Sequence, residues 1–309
     1  MHRTFEITVP PAATEALCQH LTALDEVVGL TLARAASQKP PGDVLTVHVL
    51  NRGADEVLRQ VRDAVADPHD LSIVTSETAS IIAPARHEAI EDDIDEAIWE
   101  EMESGLMHQG RIGVNYLALM ALGGVICAVG LVSEPVPQAV AFVASAVIAP
   151  GFDPLVKLPL ALVLRRGGLF WHGLRSVLAG YAVLVLAAAL AFYALLAGGD
   201  ASAAQLAANP EVGHLRHPGL PELLVSGAAA VAGVLTLAAF RRSFQAGPLV
   251  ALAIIPAAAQ VGAGLVAGRP YLAADGLLRF GLDWLFILVA GLVVFGLKQL
   301  RVHQRQPLA

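Results

Sequence analysis

Hydrophobic and polar positions change their period twice along this chain. Up to about residue 80 the apolar runs are short and alternate in kind. Residues 4–9 alternate like a strand, and residues 12–24 place Ala16, Leu17, His20, Leu21 and Leu24 at helical spacing. Residues 27–33 read as a second strand and, after the Pro40-Pro41-Gly42 turn, residues 43–50 as a third. A second helix over 56–66 and a fourth strand starting at 71–75 complete the order βαββαβ, that of a ferredoxin-like split motif. This predicts an N-terminal ferredoxin-like α+β domain over residues 1–80, suited to regulation or assembly and carrying no catalytic signature.

From 87 to 107 the period becomes helical. Ile90, Ile94, Ala97, Ile98 and Met102 fall on one stripe, opposite Glu88, Glu91, Asp92, Asp93, Asp95, Glu96, Glu100, Glu101 and Glu103. One amphipathic helix is expected, an acidic connector over 81–109 whose apolar face packs on a neighbouring subunit of a homo-oligomer. Asp92, Asp93 and Asp95 lack the glycine that a calcium-binding loop requires, so a solvated helix face is the reading for this charge run.

Beyond residue 110 the runs lengthen towards the ~20 residues that a ~30 Å hydrocarbon core demands. They cover 112–131, 136–164 with an interruption, 177–197, 223–240, 248–267 and 277–297. The expectation is an α-helical polytopic membrane protein with a bundle of about six spans over 110–298 and a basic tail over 299–309. Composition agrees: of 309 residues 56% are hydrophobic and 15% charged, and the mean hydropathy is +0.62, which removes an ordinary soluble domain from consideration. The net charge of -7 is concentrated in the connector, and no basic patch points to nucleic acid.

Arg165, Arg166, Arg241, Arg242, Lys298, Arg301 and Arg305 share one side of the six-span arrangement, the cytoplasmic side by the positive-inside rule. The termini are then both cytoplasmic, 198–221 and 268–276 face out, and the expected location is the inner (plasma) membrane. Trp171 and Tyr271 sit near span ends, where amphipathic rings favour the interface. The N-terminal stretch MHRTFEITVP has no continuous apolar core, so no cleaved signal is expected. Cys18 and Cys127 lie in different regions and read as reduced thiols.

Candidate chemistry gathers where the spans are interrupted. Pro150, Gly151, Asp153, Pro154 and Pro159 lie close together in the second span, and prolines remove backbone donors. Unwound backbone at membrane depth is viable only inside protein or along a wet cavity. Asp153 before Pro154 fits a helix cap, and equally an ion- or proton-binding acid. Pro256, Gln260, Gly262 and Gly264 repeat the theme in the fifth span, so the two triplets of spans read as a 3+3 inverted repeat with a midplane site. Asn115 in the first span, and Arg279 with Asp283 at i, i+4 in the sixth, are further polar groups expected to be buried, the last two forming an ion pair. Lys157 is expected to snorkel to the cytoplasmic surface. His214 and His217 have no partner at metal-ligand spacing, and neither metal nor cofactor is expected.

The leading expectation is a transporter or channel for a small solute or ion. Its pathway would be lined by Asn115, Pro150, Asp153, Pro154, Pro256, Gln260, Arg279 and Asp283, with the N-terminal domain gating it or holding the oligomer. The alternative is a membrane-anchored sensor or scaffold with a dry bundle. No enzyme signature is present, and an Asp153–Asp283 dyad has no supporting motif.

The chain also resembles the bacterial hydrophobic proteins of domain of unknown function 389. The resemblance rests on Asn115-Tyr116-Leu117, Met120, Gly130-Leu131, Ile148-Ala149-Pro150, Pro154, Pro256, Gly262 and Asp283, across roughly residues 110 to 297. Where the family's second span looks like Ile-Gly-Ala-Met-Leu-Ile-Ala-Pro-Leu, this chain has Val143-Ala144-Ser145-Ala146-Val147-Ile148-Ala149-Pro150-Gly151, and where the family generally carries asparagine it has Asp283. The resemblance implies a cytoplasmic domain ahead of a multi-span region and leaves activity open.

Overall fold

The alternation of the first 80 residues becomes a four-stranded antiparallel sheet in the computed structural model. It describes residues 2–94, 96–108, 110–216, 218–240 and 243–301, without side chains at 216, 240 and 243–252. Strands β1 (His2–Val9), β2 (Val27–Gln38), β3 (Pro41–Val49) and β4 (Ser72–Thr78) lie in the order β2-β3-β1-β4. Helix α1 (Pro11–Thr22) follows β1 and α2 (Ala54–Ala64) follows β3, so the predicted order βαββαβ is the observed one. Phe5 pairs with Val47 and Ile7 with Leu45, and because side chains alternate across a pleated sheet these share one face. That face meets Leu17 and Leu21 of α1 and Val57, Leu58 and Val61 of α2 in a single core. Each such side chain contributes roughly 1.5–3 kcal/mol by leaving water.

The β2–β3 hairpin carries a bulge between Ala33 and Ser37. Ala35 has φ 50° there, and its N–H donates to Asp43 Oδ1 at 2.7 Å, while Thr14 Oγ1 donates to Oδ2 at 2.8 Å. A buried carboxylate on β3 thus fixes both the bulge and α1.

The connector is not the single amphipathic helix that its pattern predicts. It forms the short α3 (His87–Glu91) and, later, α4 (Trp99–His108), with non-helical backbone at 93–94 and 96–98. Polar bonding to the sheet outcompetes helix continuation. Asp93 Oδ2 accepts from the Asn51 N–H at 2.7 Å and pairs with His2 Nδ1 at 3.0 Å. Asn51 Nδ2 donates to the carbonyls of Ile94 and Glu96, and Arg3 Nη2 donates to Glu96 O at 3.0 Å. Ile98 joins the sheet's core. Asp95 lies outside the described residues. Contacts divide the chain into two compact units, one made chiefly of Met1–Glu101 and the other chiefly of Met102–Lys298.

The second unit is helical: α5 (Val114–Gly130), α6 (Pro135–Ile148), α7 (Phe152–Val163), α8 (Gly167–Gly198), α9 (Ala203–Ala208), α10 (Pro210–Arg216), α11 (Leu220–Phe240), α12 (Ser243–Val266) and α13 (Pro270–Arg301). Among the described residues three helices are long and apolar enough to cross a membrane, α8, α11 and α13, and the bent pair α6–α7 makes up to a fourth. Helix α8 packs on α5, α7 and α12, and α12 packs also on α6 and α11. Two glycines permit this. A Cβ on Gly124 of α5 would lie 2.4 Å from Leu184 O, and one on Gly262 of α12 would lie 2.2 Å from Val185 O. Neighbouring carbonyls of α8 are therefore approached from two sides by backbone alone.

The interruption in the second span is a bend of 51° between α6 and α7. Ala149, which precedes Pro150, is extended at φ -80°, ψ 118°, as the clash with a following proline ring requires. In α12, by contrast, Pro256 sits inside one continuous helix. Its flanks from Ile254 to Gln260 are all buried, and this packing outweighs the roughly 3 kcal/mol that a helical proline costs. The two motifs are alike in sequence and unlike in backbone. Lys157 does not snorkel: it is fully buried in α7. Lys298 is also buried, and donates to Ala238 O at 3.0 Å, a cation on the last carbonyls of α11, where the helix dipole is negative. Arg241, Arg242 and Arg305 lie outside the described residues.

Candidate functional site

Helices α6, α10, α11, α12 and α13 line a partly open cavity of about 450 Å³. Its walls are mostly apolar, formed by Phe142, Leu215, Pro221, Val225, Ala229, Ala253 and Pro256. Arg279 and Asp283 of α13 and Ser226 of α11 supply its inner polar groups, and Glu211, His214 and Glu222 join the lining from α10 and the first turn of α11. Measured along α13 from Pro270, Arg279 stands about 14 Å and Asp283 about 20 Å in, at 1.5 Å per residue. An apolar cavity with a few convergent polar groups is the usual form of a small-molecule site.

The inner groups are mutually bonded but incompletely so. Arg279 Nε donates to Asp283 Oδ2 at 3.1 Å, one turn along the helix, and Arg279 Nη2 donates to Ser226 Oγ at 2.5 Å. Arg279 is 5% exposed and Asp283 3%. Among the described residues Arg279 Nη1 and Asp283 Oδ1 have no hydrogen-bond partner. Leaving a buried charged group part-bonded is costly, and both atoms are closed to solvent, within the cavity wall and not on its surface.

Of the residues singled out in the sequence, Pro256, Arg279 and Asp283 line this cavity, and the last two form the expected ion pair. Gln260 is buried nearby in α12 and donates to Leu272 O at 2.9 Å, tying α12 to α13. Pro150 is half-buried at the bend, and Asp153 and Pro154 stand in the first turn of α7. The helix begins one residue after Gly151, so Gly151 takes the cap position and Asp153 complements the positive end of the helix dipole. Asn115 is exposed at the start of α5, which corrects its expected burial: the helix turns Tyr116 inward instead, and its hydroxyl donates to Ser176 O at 2.8 Å.

Near both acids lies Tyr181 of α8, a residue that the sequence did not single out. Its hydroxyl donates to Gly151 O at 3.2 Å, at the α6–α7 bend. Its ring packs edge-on against Phe280 at 4.6 Å, and it stands within electrostatic reach of both Asp283 and Asp153. Ser226 was also missed. It lies in an apolar run and its partner Arg279 is 53 positions away, so no local spacing could have marked it. Among the described residues no three His, Cys, Asp or Glu side chains gather as metal ligands.

Fold and cavity together define a mostly helical protein with a small antiparallel α+β unit and several helices apolar enough for a membrane. Residues 146–289 match the model of the family described as Domain of unknown function (DUF389). The resemblance read from Ile148-Ala149-Pro150, Pro154, Pro256, Gly262 and Asp283 thus holds over the segment that contains them. No curated protein and no solved structure matches the chain.

Proposed function

We propose that this protein is a multi-pass inner-membrane transporter or channel for a small solute or ion, with α5, α6–α7, α8, α11, α12 and α13 as six passes. In this reading the ferredoxin-like N-terminal domain and both termini are cytoplasmic, the domain regulates or assembles a homo-oligomer, and no enzymatic step is involved. The part of the lining on α10, Glu211 and His214, then faces outward. A route would run from it past Arg279 and Asp283 to Tyr181, and onward to the α6–α7 bend and Asp153. The observation that carries the reading is the part-bonded Arg279–Asp283 pair lining a cavity of about 450 Å³. Intramembrane ion pairs that face a cavity commonly mark pathways, because their cost in lipid is otherwise hard to sustain.

Proteoliposomes holding the native chain should pass at least one of protons, potassium ions or small organic solutes. Asp283→Asn and Asp153→Asn should each cut that flux about tenfold, the worth of one charge-assisted bond, at unchanged oligomer size. The backbone contacts of Gly124 and Gly262 with α8 favour a second reading, a tightly packed sensor or scaffold. Absence of all flux would transfer the assignment to it.

A further inference from the structure

The charges that line the cavity do not balance. Arg279 and Asp283 pair at 3.1 Å and cancel one another, and their unbonded atoms are closed within the wall, so the pair offers a ligand no net charge. Glu211 and Glu222 remain. Glu222 stands in the first turn of α11, where the helix dipole supplies about half a positive charge. His214 Nδ1 lies 3.7 Å from Glu211 Oε2, and an imidazole offsets a carboxylate only when protonated. Among the described residues no lysine, and no arginine besides Arg279, lines the cavity. With His214 neutral the lining keeps a net negative charge, which favours a cation.

The walls decide which kind of cation. Phe142, Val225, Ala229, Ala253 and Pro256 present apolar surface, which cannot replace the water shell of a strongly hydrated ion. A metal cation needs several ligands, and among the described residues no three His, Cys, Asp or Glu side chains gather to supply them. A cation whose charge lies inside an apolar body gives up less hydration and gains by covering these walls. Phe142 adds an aromatic ring, the group that recognises quaternary ammonium ions. Resting on the transport reading above, we propose that the substrate class is a small organic cation of the quaternary-ammonium kind, its apolar body against α6, α11 and α12 and its charge towards Glu211 and Glu222. The volume of about 450 Å³ falls in the ordinary range for small-molecule sites.

Three probes of similar shape test this: benzyltrimethylammonium, the neutral benzyl methyl sulfone and the anionic phenylmethanesulfonate. Calorimetry on the full chain in nanodiscs of zwitterionic lipid, at about pH 8 where an ordinary imidazole is neutral, should show the cation binding about tenfold more tightly than the sulfone, and the sulfonate most weakly. Glu211→Gln together with Glu222→Gln should remove the cation's advantage over the sulfone at unchanged melting temperature, and each single substitution should remove part of it. Ala229→Phe, which fills the cavity, should weaken the cation and the sulfone alike. No binding of the cation, equal binding of cation and sulfone by the native chain, or a preference that survives the double substitution would overturn the assignment. Cation binding that Ala229→Phe leaves unmoved would overturn it too, by placing the ligand outside the cavity. Uptake of labelled benzyltrimethylammonium into proteoliposomes separates the two claims. A cation bound with these preferences but never carried supports the ligand class and defeats transport, whereas flux of another solute with no cation binding defeats the ligand class and leaves transport standing.

Discussion

Asp43 shows how much a single carboxylate decides in the N-terminal unit. The Ala35 N–H, and then the Thr14 hydroxyl, hold its carboxyl below the usual carboxylate range. A group whose folded pKa lies below its unfolded value, about 3.9, stabilises the fold above that pH, and the contribution is lost as pH falls through the folded pKa. Hydrogen exchange on the full chain, corrected for intrinsic rates, should therefore show β2 and β3 losing protection below about pH 4. Asp43→Asn should show weaker protection already at neutral pH and no such step on acidification. Glu101 acts in the opposite sense. Burial raises its pKa despite Arg3, whose Nε is 3.7 Å away, so its contribution is present in acid and is lost as pH rises through the folded pKa. The acid step should consequently map to the hairpin and not to α4.

At the scale of elements, α8 is the axis on which the helical unit is assembled. Gly124 and Gly262 approach it at Leu184 and Val185, and Tyr181 links it to the α6–α7 bend. Gly262→Ala places a methyl group 2.2 Å from a backbone carbonyl, a collision that no rotamer change relieves. Overpacking of this kind costs about 1–3 kcal/mol, and the melting temperature of the purified protein should fall accordingly. Gly227→Ala, where nothing lies within 4 Å, should leave the melting temperature unchanged or raise it, because alanine is the better helix former. Equal effects of the two substitutions would show that α12 does not rest on α8 in this way.

For the molecule as a whole, the number and direction of the helical passes decide which loops meet which side of the bilayer. Helices α8, α11 and α13 meet the length and hydropathy of a span alone, α6 and α7 do so together, and α5 has 17 residues. The six-pass reading places Ala204, exposed at the start of α9, outside and Ala66, exposed after α2, inside. In a chain with Cys18 and Cys127 replaced by serine, a membrane-impermeant maleimide should label Ala204→Cys in intact cells. Ala66→Cys should react only after the cells are permeabilised. Labelling of both positions from outside would require an even number of crossings between them, against the three of this reading.

Features that depend on neighbours close along the chain can be read from the residues alone. Alternating residues set the strands, and the order βαββαβ follows from them; apolar runs set the long helices; Ala149-Pro150-Gly151 set the bend; the i, i+4 spacing set the Arg279–Asp283 pair. Tertiary structure decided what depends on partners far apart. It showed that the acidic connector breaks to bond Asn51 and Arg3, although its stripe is helical. Pro256 stays within a helix because buried flanks on both sides hold it there, while Pro150, with the same local signal, does not. Lys157 is buried, Asn115 exposed, and Ser226 is brought from a distant helix to Arg279. Periodicity reports which face of an element is apolar, but only packing fixes which polar group that face meets, and the free energy of a buried charge lies almost entirely in that partner.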